Sequence, residues 1–193
     1  MHTDESVQIN GGIIMFEKIR KMKNQKGFTL VELIVVLVIL AILAALLVPA
    51  LTGYIDKANK EKVIATTRMV VMAAQTEISE KYGLKASGEL TGTKDFGVTG
   101  AKPLKKATGA ENVNNDADNI KIDDIAVLAE VAKKVTDDDG KTTVNFVNGV
   151  TGIEVYYNTK GQVTAAVVTQ SGFSCKYDAN ATGDKYTVTD TRS

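Results

Sequence analysis

Between Phe28 and Leu51 the chain reads FTLVELIVVLVILAILAALLVPAL, 24 residues with a single charge at Glu32. Nothing else in the sequence restricts the fold as much. A helix of about 20 apolar residues spans the hydrocarbon of a bilayer, so this segment is long enough to cross one. The stretch from Met15 to Gly27 carries Lys18, Arg20, Lys21, Lys23 and Lys26 against one acid, Glu17. That basic flank keeps the N-terminal side in the cytoplasm and sends the remainder across. The 166 residues from Phe28 onward hold 18 basic and 20 acidic side chains, a net of −2.

Composition narrows the chemistry further. Lys and Arg total 23, as do Asp and Glu, so no global basic field points to nucleic acid. At 44% hydrophobic the chain can bury a core. It has one histidine, His2, and one cysteine, Cys175. An internal disulfide and a multi-cysteine metal site are therefore excluded, and imidazole catalysis has almost nothing to use. No phosphate loop and no nucleophile–base pair is present, so the expectation is a non-enzyme without cofactors or metal.

Three readings of the apolar segment compete. A secretory signal peptide needs a shorter core and a small-x-small cleavage site, whereas AALLVPAL runs directly into a helical pattern. A simple single-pass anchor explains length and flank but gives Glu32 no task, although a carboxylate at the centre of an apolar helix costs about 2.5–3.5 kcal/mol and less near the interface. The third reading takes in the whole junction, Lys26-Gly27-Phe28-Thr29-Leu30-Val31-Glu32-Leu33. This junction resembles the processing site of type IV prepilins, which have a short basic leader, a Gly before the cut, a Phe after it and a Glu four residues on.

The resemblance implies that a membrane-bound prepilin peptidase cuts between Gly27 and Phe28 and methylates the new amine of Phe28. It also implies a partner for Glu32, whose carboxylate would neutralise the Phe28 amine of a neighbouring subunit in a fibre. The first 14 residues carry two acids and no basic run, and Gly11-Gly12 permits a ribosome-binding sequence in the coding DNA. Met15 is therefore the expected initiator, and 1–27 the leader.

Past the membrane segment, Pro49 removes a backbone donor and crowds the preceding turn, so a kink or local melting is expected around Val48–Gly53. From Tyr54, the residues Ile55, Ala58, Val63, Thr66, Met69, Val70, Ala73, Ala74, Ile78 and Tyr82 follow helical spacing, with charges on the other face. The Met and Val cluster at 69–72 reads as core, and Gly83 as the C-cap. Residues 52–83 thus form the amphipathic second half of a long helix.

The head is expected over 84–193. Residues 84–119, rich in Gly, Thr, Asn and Asp, read as a surface loop. Asp123 and Asp124 open a short helix through IAVLAEVAKKV, and Asp137-Asp138-Asp139-Gly140 is a turn. TTVNFV, GIEVYYN, QVTAAVVTQ, FSCKYD and KYTVTDT then alternate with period two between Gly- and Asn-containing turns, an antiparallel meander over about 142–190. One face of that sheet should cover the helix at 55–82. The fold class is therefore α+β, and the layout is similar to the ladle of type IV pilins. Many members have a C-terminal cysteine pair that is missing here, which leans towards a Gram-positive source and leaves strand packing to hold the C-terminus. Cys175 is expected in the core as a small hydrophobe.

Weaker candidates remain. Asp137, Asp138 and Asp139, or Asp116 with Asp118, offer oxygens to Ca²⁺, but a solvated turn explains them. Asn180-Ala181-Thr182 fits the N-glycosylation pattern. Lys102, Lys105 and Lys106 form a small basic patch with no aromatic platform beside it in the sequence, and no nucleic-acid partner is expected.

The resemblance thus implies a structural subunit of type IV pili. It waits in the cytoplasmic membrane and polymerises with other copies into an extracellular fibre for adhesion, motility or surface colonisation. The peptidase and an assembly machinery are its implied partners. A pseudopilin of a type II secretion system and a competence pilin share the N-terminal signature and stay open.

Overall fold

The computed structural model describes residues 27–86, 88–91, 103–108 and 118–192. The expected initiator, the leader up to residue 26, Lys102 and Asp116 lie outside the described residues. The chain divides into two units, Met1–Leu51 and Thr52–Ser193.

In the first unit, helix α1 (Leu30–Leu84) begins. Every residue from Leu30 to Leu51 is exposed, and the most apolar 18-residue window has a mean hydropathy of 3.3 with none of it buried. Leu, Ile and Val keep 48–75% of their surface open along this stretch. A water-soluble helix does not leave an all-apolar surface uncovered. By length and composition this stretch can cross a membrane.

Pro49 sits inside α1. Val48–Gly53 are all helical, so the local melting expected there is not present in the isolated chain. Gly83 is likewise within the helix rather than past its end, and Lys85 N–H closes the last turn on the Tyr82 carbonyl at 3.1 Å.

In the second unit, α1 buries Val63, Thr66, Thr67, Val70, Ala73, Ala74 and Ile78, the face that the 3.6-residue period marks out. Against it lies an antiparallel sheet of five strands in the order β1-β4-β5-β6-β7. These are β1 (Leu104–Ala107), β4 (Val150–Tyr157), β5 (Val163–Gln170), β6 (Phe173–Asp178) and β7 (Tyr186–Asp190). Ile153, Val155, Tyr157, Ala166, Val168, Phe173 and Cys175 are buried in the same core. Burial pushes the Cys175 thiol above its usual range, against a hydrogen bond with Thr67.

Four of the five meander segments pair as the alternation suggests. The fifth does not. TTVNF becomes β3 (Thr142–Phe146) and pairs only with β2 (Ala132–Thr136), as a separate two-stranded sheet. The place at the edge of the main sheet is taken by β1, from within the stretch read as a surface loop. Four residues of strand inside a Gly- and Asn-rich segment carry too little period to be seen. Leu90, from the same segment, is 1% exposed and so belongs to the core.

The short helix also differs from its expectation. Helix α2 spans Ile122–Leu128, and the residues after it become β2. The chain turns at Glu130, a non-glycine residue with φ 57°. Glu130 N–H donates to the Val127 carbonyl and Val131 N–H to the Ala126 carbonyl, both at 3.0 Å, the paired bonds of a Schellman termination. Val131 to Thr136 matches helical period and strand alternation equally well. The partner decides: the Asp137–Lys141 turn brings Thr142–Phe146 alongside, with Lys141 N–H held by the Asp137 carboxylate at 2.8 Å.

Three polar clusters fix helix to sheet. Thr66 donates to Gln170 at 2.8 Å, and Gln170 donates in turn to the Asn148 carbonyl at 2.9 Å. Gln75 donates to the Gly161 carbonyl at 2.7 Å and accepts from Val163 N–H at 2.9 Å, so its side-chain amide continues the strand ladder. At the C-terminus, the Arg192 guanidinium bonds both oxygens of Asp56 on α1 at 2.7 and 3.0 Å and Asp190 at 2.6 and 2.9 Å. It also lies 4.5 Å from the centre of the Phe173 ring. Strand packing alone was expected to hold the C-terminus, but an ion-paired arginine closes it onto the helix. Gly172, at φ 81°, is needed there, because a Cβ would run into the Arg192 side chain.

Candidate processing and assembly site

Gly27, Phe28 and Thr29 are non-helical and exposed, with Phe28 80% open to solvent. The Gly27–Phe28 bond therefore lies in irregular backbone just ahead of the helix, where a peptidase can take it in extended form. A Cβ on Gly27 would meet nothing within 4 Å. Nothing in the described fold calls for glycine there.

Thr29 was missed in the sequence reading. Its hydroxyl accepts from Glu32 N–H at 3.2 Å, and its carbonyl accepts from Leu33 N–H at 3.2 Å. It is the N-cap of α1. Thr29-Leu30-Val31-Glu32 has the T-x-x-E form of a capping box, a signal that was legible in the sequence. Glu32 also places a carboxylate in the first turn, where the helix dipole favours it. The Glu32 side chain is exposed, and among the described residues no cation lies against it. Cleavage after Gly27 would leave just Phe28 ahead of the cap.

The other candidate positions separate clearly. Asp118 is 3% exposed, and its carboxylate is occupied. Lys85 Nζ lies 2.8 Å from it, Thr91 donates through N–H at 3.0 Å and through its hydroxyl at 2.9 Å, and Tyr157 OH donates at 3.2 Å. Burial by itself would raise its pKa, but these donors outweigh burial and hold the carboxyl below the usual range. It is a structural anchor within the head. Asp137 caps its own turn through its side chain, and among the described residues no group of three metal-ligating side chains converges.

The two described lysines of the basic patch are also spent internally. Lys105 pairs with Glu154 at 2.7 Å. Lys106, only 7% exposed, pairs with Asp123 at 2.8 Å. Its ammonium lies 5.6 Å from the centre of the Phe146 ring, so the fold supplies an aromatic neighbour that the sequence did not place. Asn180 is exposed in the turn after β6, with its backbone N–H held by Asp178 at 3.1 Å.

Residues 22–48 match the family model described as the prokaryotic N-terminal methylation motif. That motif supports a type IV pilin-like protein, and the long helix packed on an antiparallel sheet is a pilin-like α+β architecture. Nothing in the match bears on the kind of bacterium, so the Gram-positive leaning has no support from it. No curated protein and no solved structure matches the chain.

Proposed function

We propose that this chain is a subunit of a type IV pilus-like filament. It is cut between Gly27 and Phe28 by a prepilin peptidase, methylated on Phe28 and polymerised through its N-terminal helix. The observation that carries this reading is the methylation motif at 22–48 joined to an exposed, non-helical Gly27–Phe28 bond at the head of an uncovered apolar helix. The apolar helix holds the unassembled subunit in the membrane. Packing against other copies then replaces lipid contact, and the head is carried outside the cell, where the turn at 178–184 is available for adhesion. The role is structural, and the peptidase and assembly machinery supply the chemistry and the work.

Glu32 is central to the assembly step. Once the cut is made, the Phe28 amine is a cation that must leave water when helices bundle. Pairing it with a neighbour's Glu32 satisfies both charges, whereas removing one partner of a buried pair costs about 3–5 kcal/mol. Glu32→Ala is therefore expected to be processed and inserted in the membrane but to polymerise poorly.

The test is mass spectrometry of the N-terminus from native cells, with membrane and sheared-surface fractions kept apart. N-methylated Phe28 in both is the expected result. The modified end in the membrane alone would move the reading to a pseudopilin, and an uncut Gly27–Phe28 bond would leave only a membrane anchor.

A further inference from the structure

The turn at Asn148-Gly149 joins two strands that do not pair with each other. Asn148 and Gly149 have φ of 57° and 80°, and Val150 N–H donates to the Val147 carbonyl at 3.1 Å. These are the features of a type I′ turn, which closes a two-residue hairpin. The strands on either side are β3 and β4. Yet β3 pairs with β2 alone, and the edge of β4 is held by β1. Between β1 and β3 lies a groove of about 610 Å³, with Lys106, Ala107 and Thr108 on one side and Thr142 to Phe146 on the other.

The hydrogen-bond order relates both strands to β4. Continued from the turn, a hairpin sets Phe146 opposite Thr151, Val144 opposite Ile153 and Thr142 opposite Val155. β1 occupies those same places. Thr108 N–H donates to the Thr151 carbonyl at 2.9 Å, and Lys106 and Leu104 stand opposite Ile153 and Val155. On its other edge β3 is committed to β2: Val147 N–H donates to the Val131 carbonyl at 2.9 Å, so Asn145 and Thr143 also face β2. The backbone groups of Thr142, Val144 and Phe146 then point away from β2, and among the described residues they have no partner. They are the groups that the hairpin register brings to β4.

We propose that β1 and β3 compete for one edge of β4, and that the head exchanges Leu104–Ala107 for Thr142–Phe146 there without giving up the β2–β3 pairing. The product is a continuous sheet in the order β2-β3-β4-β5-β6-β7. Residues directly opposite each other share a face of the sheet, so Val144 takes the place of Lys106, Phe146 that of Thr108 and Thr142 that of Leu104. One buried leucine is lost, while a valine and a phenylalanine replace a lysine and a threonine. Val144 and Phe146 are already half-buried against the core. Local preference favours β3, since Thr, Val and Phe suit strands better than Lys and Ala. Charge favours β1, through Lys105 with Glu154 at 2.7 Å and Lys106 with Asp123 at 2.8 Å. Opposed preferences of this kind are what a switching element needs.

Paired cysteines in the detergent-solubilised full chain test the exchange. Glu154 stands opposite Lys105 in one pairing and opposite Thr143 in the other. Lys105→Cys with Glu154→Cys traps the first, and Thr143→Cys with Glu154→Cys the second. Cys175 is fully buried and adds no background. Both pairs should close under mild oxidation, whereas Lys133→Cys with Glu154→Cys should stay open. A Thr143 pair that stays open while the Lys105 pair closes overturns the proposal, as does equal closure of the Lys133 pair, which means unspecific motion. Hydrogen exchange gives a second reading. Lys106→Pro removes the N–H that bonds the Ile153 carbonyl, so β1 has to leave. The amides of Thr142, Val144 and Phe146 should then exchange at least tenfold more slowly than in the unmodified chain. Unchanged exchange there, or protection lost throughout the main sheet, overturns the proposal too.

Discussion

Replacing Asp118 by Ala removes one carboxylate and leaves four donors without their acceptor. The donors do not suffer equally. Lys85 keeps 27% of its side chain exposed, and Thr91 is exposed, so both recover water. Tyr157 is fully buried, and its hydroxyl loses its Asp118 bond inside the core. An unsatisfied buried donor costs about 1–3 kcal/mol, and breaking a buried ion pair about 3–5 kcal/mol when both partners are enclosed. With Lys85 partly exposed, the expected loss is about 2–4 kcal/mol. For a head of this size that lowers Tm by about 10 °C.

The pH dependence gives a second handle on the same residue. The folded pKa of Asp118 is held below its unfolded value, about 3.9. Its stabilisation is therefore complete above the unfolded pKa and lost as pH falls through the folded one. The stability gap between wild type and Asp118→Ala should be the same at pH 7 and pH 5 and shrink below about pH 4. Thermal unfolding of the detergent-solubilised full chain, followed by circular dichroism, measures both. A gap under about 0.5 kcal/mol at pH 7, or one that widens in acid, refutes the reasoning.

Gly27→Ala should leave the thermal unfolding of the head unchanged, since its Cβ meets open space, while cutting N-terminal processing by at least tenfold on immunoblots. Glu130→Gly should raise head stability by about 0.5–1 kcal/mol, because glycine takes the left-handed conformation without strain, and denaturant unfolding at constant m-value reads it. Arg192→Ala should speed hydrogen exchange of Val188 to Thr191 without a large change in Tm. Asp190 is held at about 2 by its hydrogen bonds to Arg192, so in the unmodified chain that protection should survive at pH 4. Its loss at pH 4 would mean that the arginine closure does not hold the strand. Cys175 should resist thiol reagents until the head unfolds; fast labelling of the native chain contradicts its burial.

Local patterns carried much of the architecture. The apolar run, the basic flank and the Gly27-Phe28 junction are each contiguous, and the chemistry they encode acts on neighbouring residues. The buried face of α1 and four strands of the main sheet were equally legible, because period 3.6 and period two persist over several turns or residues there. The cap at Thr29 is likewise local, since Thr29-Leu30-Val31-Glu32 spans only four residues. The failures fall where a short segment has two compatible uses. Val131–Thr136 fits helix or strand, and its pairing with Thr142–Phe146 across Asp137–Lys141 settles the matter. Leu104–Ala107 is a strand only because Gly152–Val155 lies beside it.

By itself, then, the order of residues determined a membrane-length apolar helix with a prepilin-like motif at its head and an α+β domain behind it. These follow from hydropathy and backbone propensity, which act within a few turns. Tertiary structure decided what each polar side chain is for. Asp118 became an internal anchor instead of a metal ligand, Lys105 and Lys106 became paired charges, and Arg192 became the closure of the C-terminus onto Asp56. Met69 and Met72 were left outside the core by the same process. Such roles depend on partners brought from 17 to 136 positions away along the chain, and a charge or a sulfur takes its meaning from what the fold sets next to it.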